Sequence, residues 1–155
     1  WQLSRQTEQA YADRKPGVWA RDAVLWGGNL AVLTSLIGTP YLPQVQKGVL
    51  FLEDIAEHPY RIERMLTQWL HAGILAQQKA IVLGQFTQYK LTPHDKGYKL
   101  DSVVSWLRSQ LRIPVLTDLP FGHVPTKVCL PVGATVHLLV EERDALLLWA
   151  HGHGL

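Results

Sequence analysis

The sequence predicts an α/β fold that ends in a strand-rich segment. Up to about residue 116, short apolar runs alternate with segments whose apolar residues repeat at helical spacing. This order favours parallel strands joined by helices. The remainder of the chain holds short apolar runs separated by turn residues, which predicts an antiparallel meander. We therefore expect a mixed sheet with flanking helices and a β-rich end.

The first predicted strand is the apolar run Ala23–Trp26, which leads into Gly27, Gly28 and Asn29. Asn29 is a favourable helix N-cap because its side-chain oxygen can accept a backbone N–H of the first turn. The apolar residues that follow are spaced as on one face of a helix: Leu30, Leu33 and Ile37. A helix is therefore predicted to begin after Asn29 and to end at Gly38.

The second predicted strand, Val49–Leu52, is apolar at every position, as expected of a strand that is buried on both faces. It is predicted to stop at Glu53 and Asp54. A helix is predicted to begin at Pro59, where the missing N–H costs no hydrogen bond, and to be capped by Gly73. Its apolar stripe comprises Ile62, Met65, Leu66, Trp69 and Leu70.

The third unit begins with the predicted strand Ala80–Leu83. The polar segment Gln88–Lys99 contains proline and glycine and is predicted to be a loop. A helix is predicted over Asp101–Leu111, followed by the short strand Val115–Leu116 and the loop Pro120–Pro125.

The two ends of the chain differ in character. The last part is predicted to form three short strands, Val128–Leu130, Thr135–Val140 and Ala145–Trp149. The chain begins at Trp1 rather than at methionine, and its opening is polar and without a clear pattern. We therefore expect residues 1–18 to be the remnant of an interdomain linker and residues 19–155 to form one domain.

Composition limits the possible classes of function. The chain has 155 residues, of which 47% are hydrophobic and 18% charged, as is usual for one globular domain. The formal net charge of +2 and the scattered basic residues argue against nucleic acid or an anionic membrane as a partner. The single Cys129 excludes an internal disulfide and favours a reducing compartment. His151 and His153 lack a third convergent ligand, so neither a metal nor another cofactor is expected.

Two predicted strands lead to chemically useful side chains at their carboxyl ends. Glu53 follows the second strand, and His123 lies in the loop after Val115–Leu116. Active groups gather at this edge of open α/β sheets. A carboxylate can hold a histidine in one tautomer and stabilise its protonated form, which leaves the other ring nitrogen free to act as a base. The pattern also allows a solvated Glu-Asp turn and an idle loop histidine.

Gly27, Gly28 and Asn29 are candidates for substrate binding. They stand at a strand end and a helix N-terminus, where backbone N–H groups attract carboxylates. An ordinary glycine turn with an asparagine cap explains the same residues. His58 and His71 flank a predicted helix and are expected to be surface residues.

Seven stretches of the sequence carry a resemblance to a known family: Trp26–Leu30, Gly38–Tyr41, Leu50–Asp54, Pro59–Leu66, Ile81–Gly84, Ile113–Leu116 and Leu119–His123. In this order and spacing they resemble the carboxyl-terminal domain of the serine LD-carboxypeptidases, also called muramoyltetrapeptide carboxypeptidases, and their microcin-immunity relatives. The resemblance covers nearly the whole chain from about Val18. It implies a swivelling β/β/α type of domain packed beside an amino-terminal domain, with the active site between the two.

The resemblance also implies roles for two residues. Glu53 and His123 would complete a Ser-His-Glu triad whose serine lies in the amino-terminal domain, in a Gly-x-Ser-Asp setting. The donors of the oxyanion hole would come from that domain as well. None of this chain's own serines has such a setting: Ser4, Ser35, Ser102, Ser105 and Ser109. The chain alone is therefore expected to be inactive.

The activity implied by the resemblance is removal of the terminal D-alanine from cell-wall tetrapeptides during peptidoglycan recycling. The family is cytoplasmic, uses no metal and commonly forms homodimers. Two alternatives remain open. One is a microcin-type immunity peptidase that keeps the triad and takes an acyl-sulfamoyl or peptidyl-nucleotide substrate. The other is a non-catalytic binding module on the same scaffold.

Overall fold

The computed structural model describes residues 1–150, which are arranged around a six-stranded mixed sheet. The strands are β1 (Gly17–Asn29), β2 (Val49–Ile55), β3 (Ala80–Thr87), β4 (Val115–Leu116), β5 (Thr135–Glu141) and β6 (Asp144–Leu148). The helices are α1 (Arg5–Ala10), α2 (Leu30–Thr34), α3 (Pro59–His71) and α4 (Leu100–Gln110), with 3₁₀ turns at Leu75–Gln77 and Pro93–Asp95. No helix within residues 1–150 is long and apolar enough to cross a membrane.

The strand order is β4-β3-β2-β1-β5-β6. The first four of these strands pair in parallel, whereas β5 pairs antiparallel with both β1 and β6. The predicted α/β class, with its mixed sheet, flanking helices and β-rich end, is confirmed. Because four parallel strands end at one edge, the side chains at their carboxyl ends come together there.

The sheet separates two hydrophobic clusters. Alternate residues of β2 face opposite sides, so that Leu50 and Leu52 pack towards the helices while Phe51 packs on the other face. The predicted burial of this strand on both faces is therefore confirmed. The stripe of α3 is also confirmed, since Ile62, Leu66 and Trp69 are buried beneath the helix. Full burial of each such side chain stabilises the fold by about 1.5–3 kcal/mol.

Several predicted strand ends are wrong. β2 continues through Glu53 and Asp54 to Ile55, and β3 continues to Thr87. Both carboxylates of β2 find hydrogen-bond donors inside the fold, so they do not end the strand. The predicted strand Val128–Leu130 is absent, because no neighbouring strand pairs with it and only one backbone bond, from Val128 N to Pro120 O, anchors its start.

The opening residues, which are polar and without a clear pattern in the sequence, are packed on the sheet. Ser4 caps the helix α1, and Leu3 and Thr7 are fully buried. The backbone of Trp1 exchanges two hydrogen bonds with Ala145 in β6. The division of the chain at residue 18 into linker and domain stays a prediction.

The loop between β3 and α4 is fastened to the start of α3 by His58 and Asp95. His58 Nε2 lies 3.2 Å from Asp95 Oδ1, and its Nδ1 accepts the backbone N–H of Tyr60. The rings of His58, Tyr60 and Tyr98 stack in series at 4.6 and 4.7 Å between centroids. His58 is therefore half-buried and engaged rather than a free surface residue, whereas His71 is exposed as expected.

The backbone N–H of Thr92 and the neighbouring His58 hold the pKa of Asp95 below its ordinary value of 3.8, although burial acts in the opposite direction. A carboxyl group with a lowered pKa stabilises the fold above its unfolded-state pKa and loses that contribution as the pH falls through its folded-state value. We therefore expect Asp95→Asn to lower the free energy of unfolding at pH 7, by an amount that shrinks below pH 3.8.

Chemical denaturation over a series of pH values measures this difference. Asp13→Asn, at an exposed position, is the matched control and should leave stability unchanged. A loss for Asp95→Asn that stays constant down to the lowest pH would show that the charge on Asp95 contributes nothing.

Candidate active site

The carboxyl ends of the parallel strands bring Glu53 and His123 together, although they lie 70 residues apart in the sequence. His123 Nδ1 and Glu53 Oε2 are 2.9 Å apart. The carboxylate side chain is 6% exposed and the imidazole 48% exposed. Nδ1 is bound to the carboxylate, and no hydrogen bond from the described residues reaches Nε2. This is the geometry of a base that is oriented from behind by a buried acid.

Two glycines allow the loop that carries His123 to reach Glu53. A Cβ on Gly84 would lie 2.5 Å from the carbonyl oxygen of Phe121, and one on Gly122 would lie 2.9 Å from that of Gln85. Gly122 also has φ +139°, which disfavours side chains. This close contact lets Gln85 N donate to Phe121 O at 2.8 Å, so the loop continues along β3.

Further contacts hold the backbone of the loop on either side of His123. Thr87 Oγ1 donates to the carbonyl oxygen of His123 at 3.2 Å. Phe121 packs edge-on against Phe51 of β2, with 5.2 Å between ring centroids. The imidazole is therefore placed by a loop fixed to both β2 and β3, while the ring remains open to solvent.

Asn29 lies next to Glu53 in the register between β1 and β2. Its Oδ1 accepts the backbone N–H of Val32 at 3.0 Å, as the predicted N-cap requires. Its Nδ2 donates to Asp54 Oδ1 at 2.9 Å and lies 3.4 Å from Glu53 Oε1. Both polar atoms of this side chain are thus engaged within the fold.

Gly27 and Gly28 lie at the same edge. A Cβ on Gly27 would stand 1.9 Å from the carbonyl oxygen of Phe51, so this glycine is required for β1 to pair with β2. Gly28 has φ +150° and room beside it. The substrate-binding role of Gly27, Gly28 and Asn29 stays a prediction.

Sequence reasoning did not single out Asp54, which is 3% exposed and bound to Asn29. The signal that could have found it is a second carboxylate directly after a strand that is apolar at every position, since such a group is buried unless the strand ends.

No hydrogen bond joins His123 to any of the chain's five serines. Within residues 1–150, no three His, Cys, Asp or Glu side chains converge as a metal site would need. His151 and His153 lie outside the described residues.

Comparison with known proteins identifies a family. Residues 22–138 match the family model described as the LD-carboxypeptidase C-terminal domain. A crystal structure of muramoyltetrapeptide carboxypeptidase from Oxalobacter formigenes is 46% identical, with a TM-score of 0.78 over 90% of this chain and 52% of that one. A protein of Synechocystis sp. named as a carboxypeptidase is 40% identical over 74% of this chain and 38% of its own length.

Other relatives extend this result. The murein tetrapeptide carboxypeptidase of Pseudomonas aeruginosa is 32% identical over 76% of this chain and 38% of the relative. The microcin C7 self-immunity protein MccF is 21% identical, with a TM-score of 0.74 over 88% of this chain and 40% of that one, a likeness that shows the fold alone. The chain spans less than half the length of the curated relatives it matches.

We expect Gly122→Ala to break the contact between His123 and Glu53. The added methyl group would meet Gln85 O at 2.9 Å and Glu53 Oε2 at 3.3 Å, which pushes the loop away from β3. The ¹⁵N chemical shifts of His123 report the change, because the fraction of the Nδ1–H tautomer should fall when the carboxylate no longer accepts that proton.

Gly133→Ala is the matched control. Gly133 also has a positive φ, +87°, but no atom lies within 4 Å of the added Cβ. Both variants should lose about 1–3 kcal/mol of stability from backbone strain, and only Gly122→Ala should alter His123. An unchanged His123 tautomer in folded Gly122→Ala would show that the close approach of the loop is not required.

Proposed function

The chain belongs to the LD-carboxypeptidase family, in which it matches the C-terminal domain, and from this premise we propose that it supplies two residues of a serine-type active site. Glu53 and His123 are the acid and base of a Ser-His-Glu triad. The serine and the oxyanion-hole donors belong to an amino-terminal domain of the longer protein. The 155-residue chain alone is inactive in this proposal.

The observation that carries the proposal is the 2.9 Å contact between a buried Glu53 carboxylate and an exposed His123 ring. A histidine that served only the fold would be expected to engage both nitrogens or to lie free in solvent. Here Nδ1 is held by Glu53, and Nε2 has no hydrogen-bond partner among the described residues, which suits transfer of a proton to and from another group.

The reaction is hydrolysis of the amide between the L-centre of a diamino acid and a terminal D-alanine. As the serine Oγ attacks the carbonyl carbon, His123 Nε2 takes its proton and becomes imidazolium. His123 then gives that proton to the amine of D-alanine, which leaves as the C–N bond breaks. In the second half, water attacks the acyl-enzyme and gives its proton to His123. The bond between the acyl carbon and the serine Oγ then breaks, and His123 returns the proton to that oxygen.

Glu53 stabilises the imidazolium that forms in each half of the reaction. Its carboxylate is almost removed from water, so its interaction with the charged ring is weakly screened by solvent. Because it also fixes the ring, it keeps Nε2 rather than Nδ1 directed to the substrate. Glu53 therefore contributes both charge and orientation.

The substrate proposed is a tetrapeptide from peptidoglycan, in line with the names of the Oxalobacter and Pseudomonas relatives. We further propose recycling in the cytoplasm, a homodimer, and no requirement for a metal, a nucleic acid or a membrane. The amino-terminal domain is the partner on which activity depends.

The decisive experiment compares the full-length protein with the 155-residue chain on an L,D-tetrapeptide, by quantifying released D-alanine. We expect release by the full-length protein alone. Equal release by the 155-residue chain would mean that one of its own serines is the nucleophile.

An aspartyl sulfamoyl adenosine is assayed in parallel, and its cleavage in place of the tetrapeptide would assign a microcin-type immunity peptidase. Cleavage of neither substrate would overturn the peptidase proposal and favour a binding module.

In the full-length protein, His123→Ala should lower kcat by about 10⁴-fold or more, since removal of a triad base leaves only the remaining parts of the site. Glu53→Gln should cost less, because it loses the charge and keeps part of the orientation. Initial rates of D-alanine release at saturating tetrapeptide measure both variants.

His137→Gln is the control for His123→Ala. His137 lies in β5, on a different part of the sheet, with its Nε2 3.6 Å from Asp22 Oδ1. Its replacement should leave kcat unchanged. Near-normal turnover by His123→Ala would remove His123 from the mechanism.

A further inference from the structure

We propose that Asp54 is a positioning residue for the His123–Glu53 pair, which it serves by fixing the Asn29 amide against Glu53. The proposal rests on the function proposed above, because it concerns the same acid and base. Asp54 itself contacts neither His123 nor, on this proposal, the substrate. Its effect passes through the Asn29 side chain.

Asp54 is a buried carboxylate, and both of its oxygens accept hydrogen bonds. Its Oδ1 accepts from Asn29 Nδ2 at 2.9 Å and from the backbone N–H of Ile55 at 2.8 Å. Its Oδ2 accepts from the backbone N–H of Ala31 at 2.9 Å. A buried carboxylate in such an arrangement is held firmly, because rotation would leave charged oxygen without a donor.

The orientation of the Asn29 amide is determined from both ends. Val32 N donates to Oδ1, so the amide oxygen must face the backbone of α2. The NH₂ group must then face the two carboxylates of β2, where one proton is directed to Asp54 and the other to Glu53 Oε1 at 3.4 Å. A flipped amide would place its oxygen against Asp54 and is therefore excluded.

This arrangement distinguishes the two oxygens of Glu53. Oε1 faces the fixed NH₂ group of Asn29, and Oε2 faces His123 Nδ1 at 2.9 Å. With Oε1 occupied, the carboxylate keeps Oε2 directed to the imidazole. Asp54 thus links the start of α2 to the orientation of the histidine through Asn29 and Glu53.

A shift of one residue in the pairing of β2 with β3 accompanies this geometry. Leu52 pairs with Leu83, whereas Asp54 pairs with Phe86, so β3 contains an additional residue opposite Glu53. Such a bulge bends the strand and redirects side chains. It occurs at the position where two consecutive acidic side chains both reach Asn29.

The test that does not need the amino-terminal domain is ¹⁵N NMR of His123 in the 155-residue chain. Asp54→Asn has nearly the same shape but presents one acceptor oxygen and an NH₂ group to the donors of Asn29, Ile55 and Ala31. We expect a smaller fraction of the Nδ1–H tautomer and faster exchange of that proton with water.

Asp95→Asn is the matched control, since Asp95 is also buried and accepts a backbone N–H, from Thr92. It should lower stability and leave His123 unchanged.

Asn29→Ser is a second variant in case Asp54→Asn fails to fold. Serine retains an N-cap oxygen for α2 but removes the NH₂ group that connects the carboxylates. It should change His123 in the same way, and the double variant should change it no further than either single variant. A His123 signal that is unaltered in either folded variant would overturn the proposal and leave Asp54 as a structural cap of α2.

In the full-length protein, Asp54→Asn should lower kcat by up to about 10²-fold with little change in KM, because misplacing a catalytic group by a small distance carries a penalty of this size. Normal kcat for Asp54→Asn, together with an inactive His123→Ala, would reject the positioning role while the proposed function stands. If the wild-type full-length protein releases no D-alanine, the proposed function fails, and the NMR result still decides whether Asp54 controls His123.

Discussion

A carboxylate inside a strand that is buried on both faces must accept hydrogen bonds from other groups. Without them, its burial would destabilise the fold by several kcal/mol. Strand β2 contains two such carboxylates in succession, Glu53 and Asp54, after a run of apolar residues. Much of the carboxyl edge of the sheet follows from this constraint. The start of α2 supplies the backbone N–H of Ala31, Asn29 supplies its amide, and the loop after β4 supplies an imidazole. The same contacts that make the burial of charge possible also assemble the candidate site.

The close approach of backbones is the second requirement of this edge. Gly27 allows β1 to lie against β2, and Gly84 and Gly122 allow the loop of His123 to lie against β3. At each of these positions a methyl group would meet a carbonyl oxygen at 2.9 Å or less. The glycines therefore set the distances between elements, and the polar side chains form hydrogen bonds across those distances. Loss of the glycines or of the polar side chains would leave a buried carboxylate of β2 without its hydrogen-bond partner.

The parts of the structure that the sequence predicted well depend on local periodicity. The N-cap at Asn29, the start of α3 at Pro59 and the stripe of α3 all follow from residues within one or two turns. The proximity of Glu53 and His123 could also be predicted, because parallel strands end at one edge. The order of the residues did not reveal where β2 ends, since that depends on donors brought from elsewhere in the chain. The same limitation applies to the opening residues, whose burial depends on contacts with β6 and α4 more than a hundred residues away.

The proposed division of the site between two domains would have a physical consequence for His123. Its ring is half exposed in this chain, while the carboxylate behind it is buried. Water therefore competes for Nε2 and weakens the field that Glu53 exerts on the outer part of the ring. A second domain that covers this edge would remove that water and place a hydroxyl group within hydrogen-bond distance of Nε2. The acid and the base would then act in a medium of lower dielectric constant, where stabilisation of the imidazolium by Glu53 is greatest. Under the proposed function, this chain would hold the orienting half of the site, and the covering domain would supply both the nucleophile and the environment in which that orientation has its full effect.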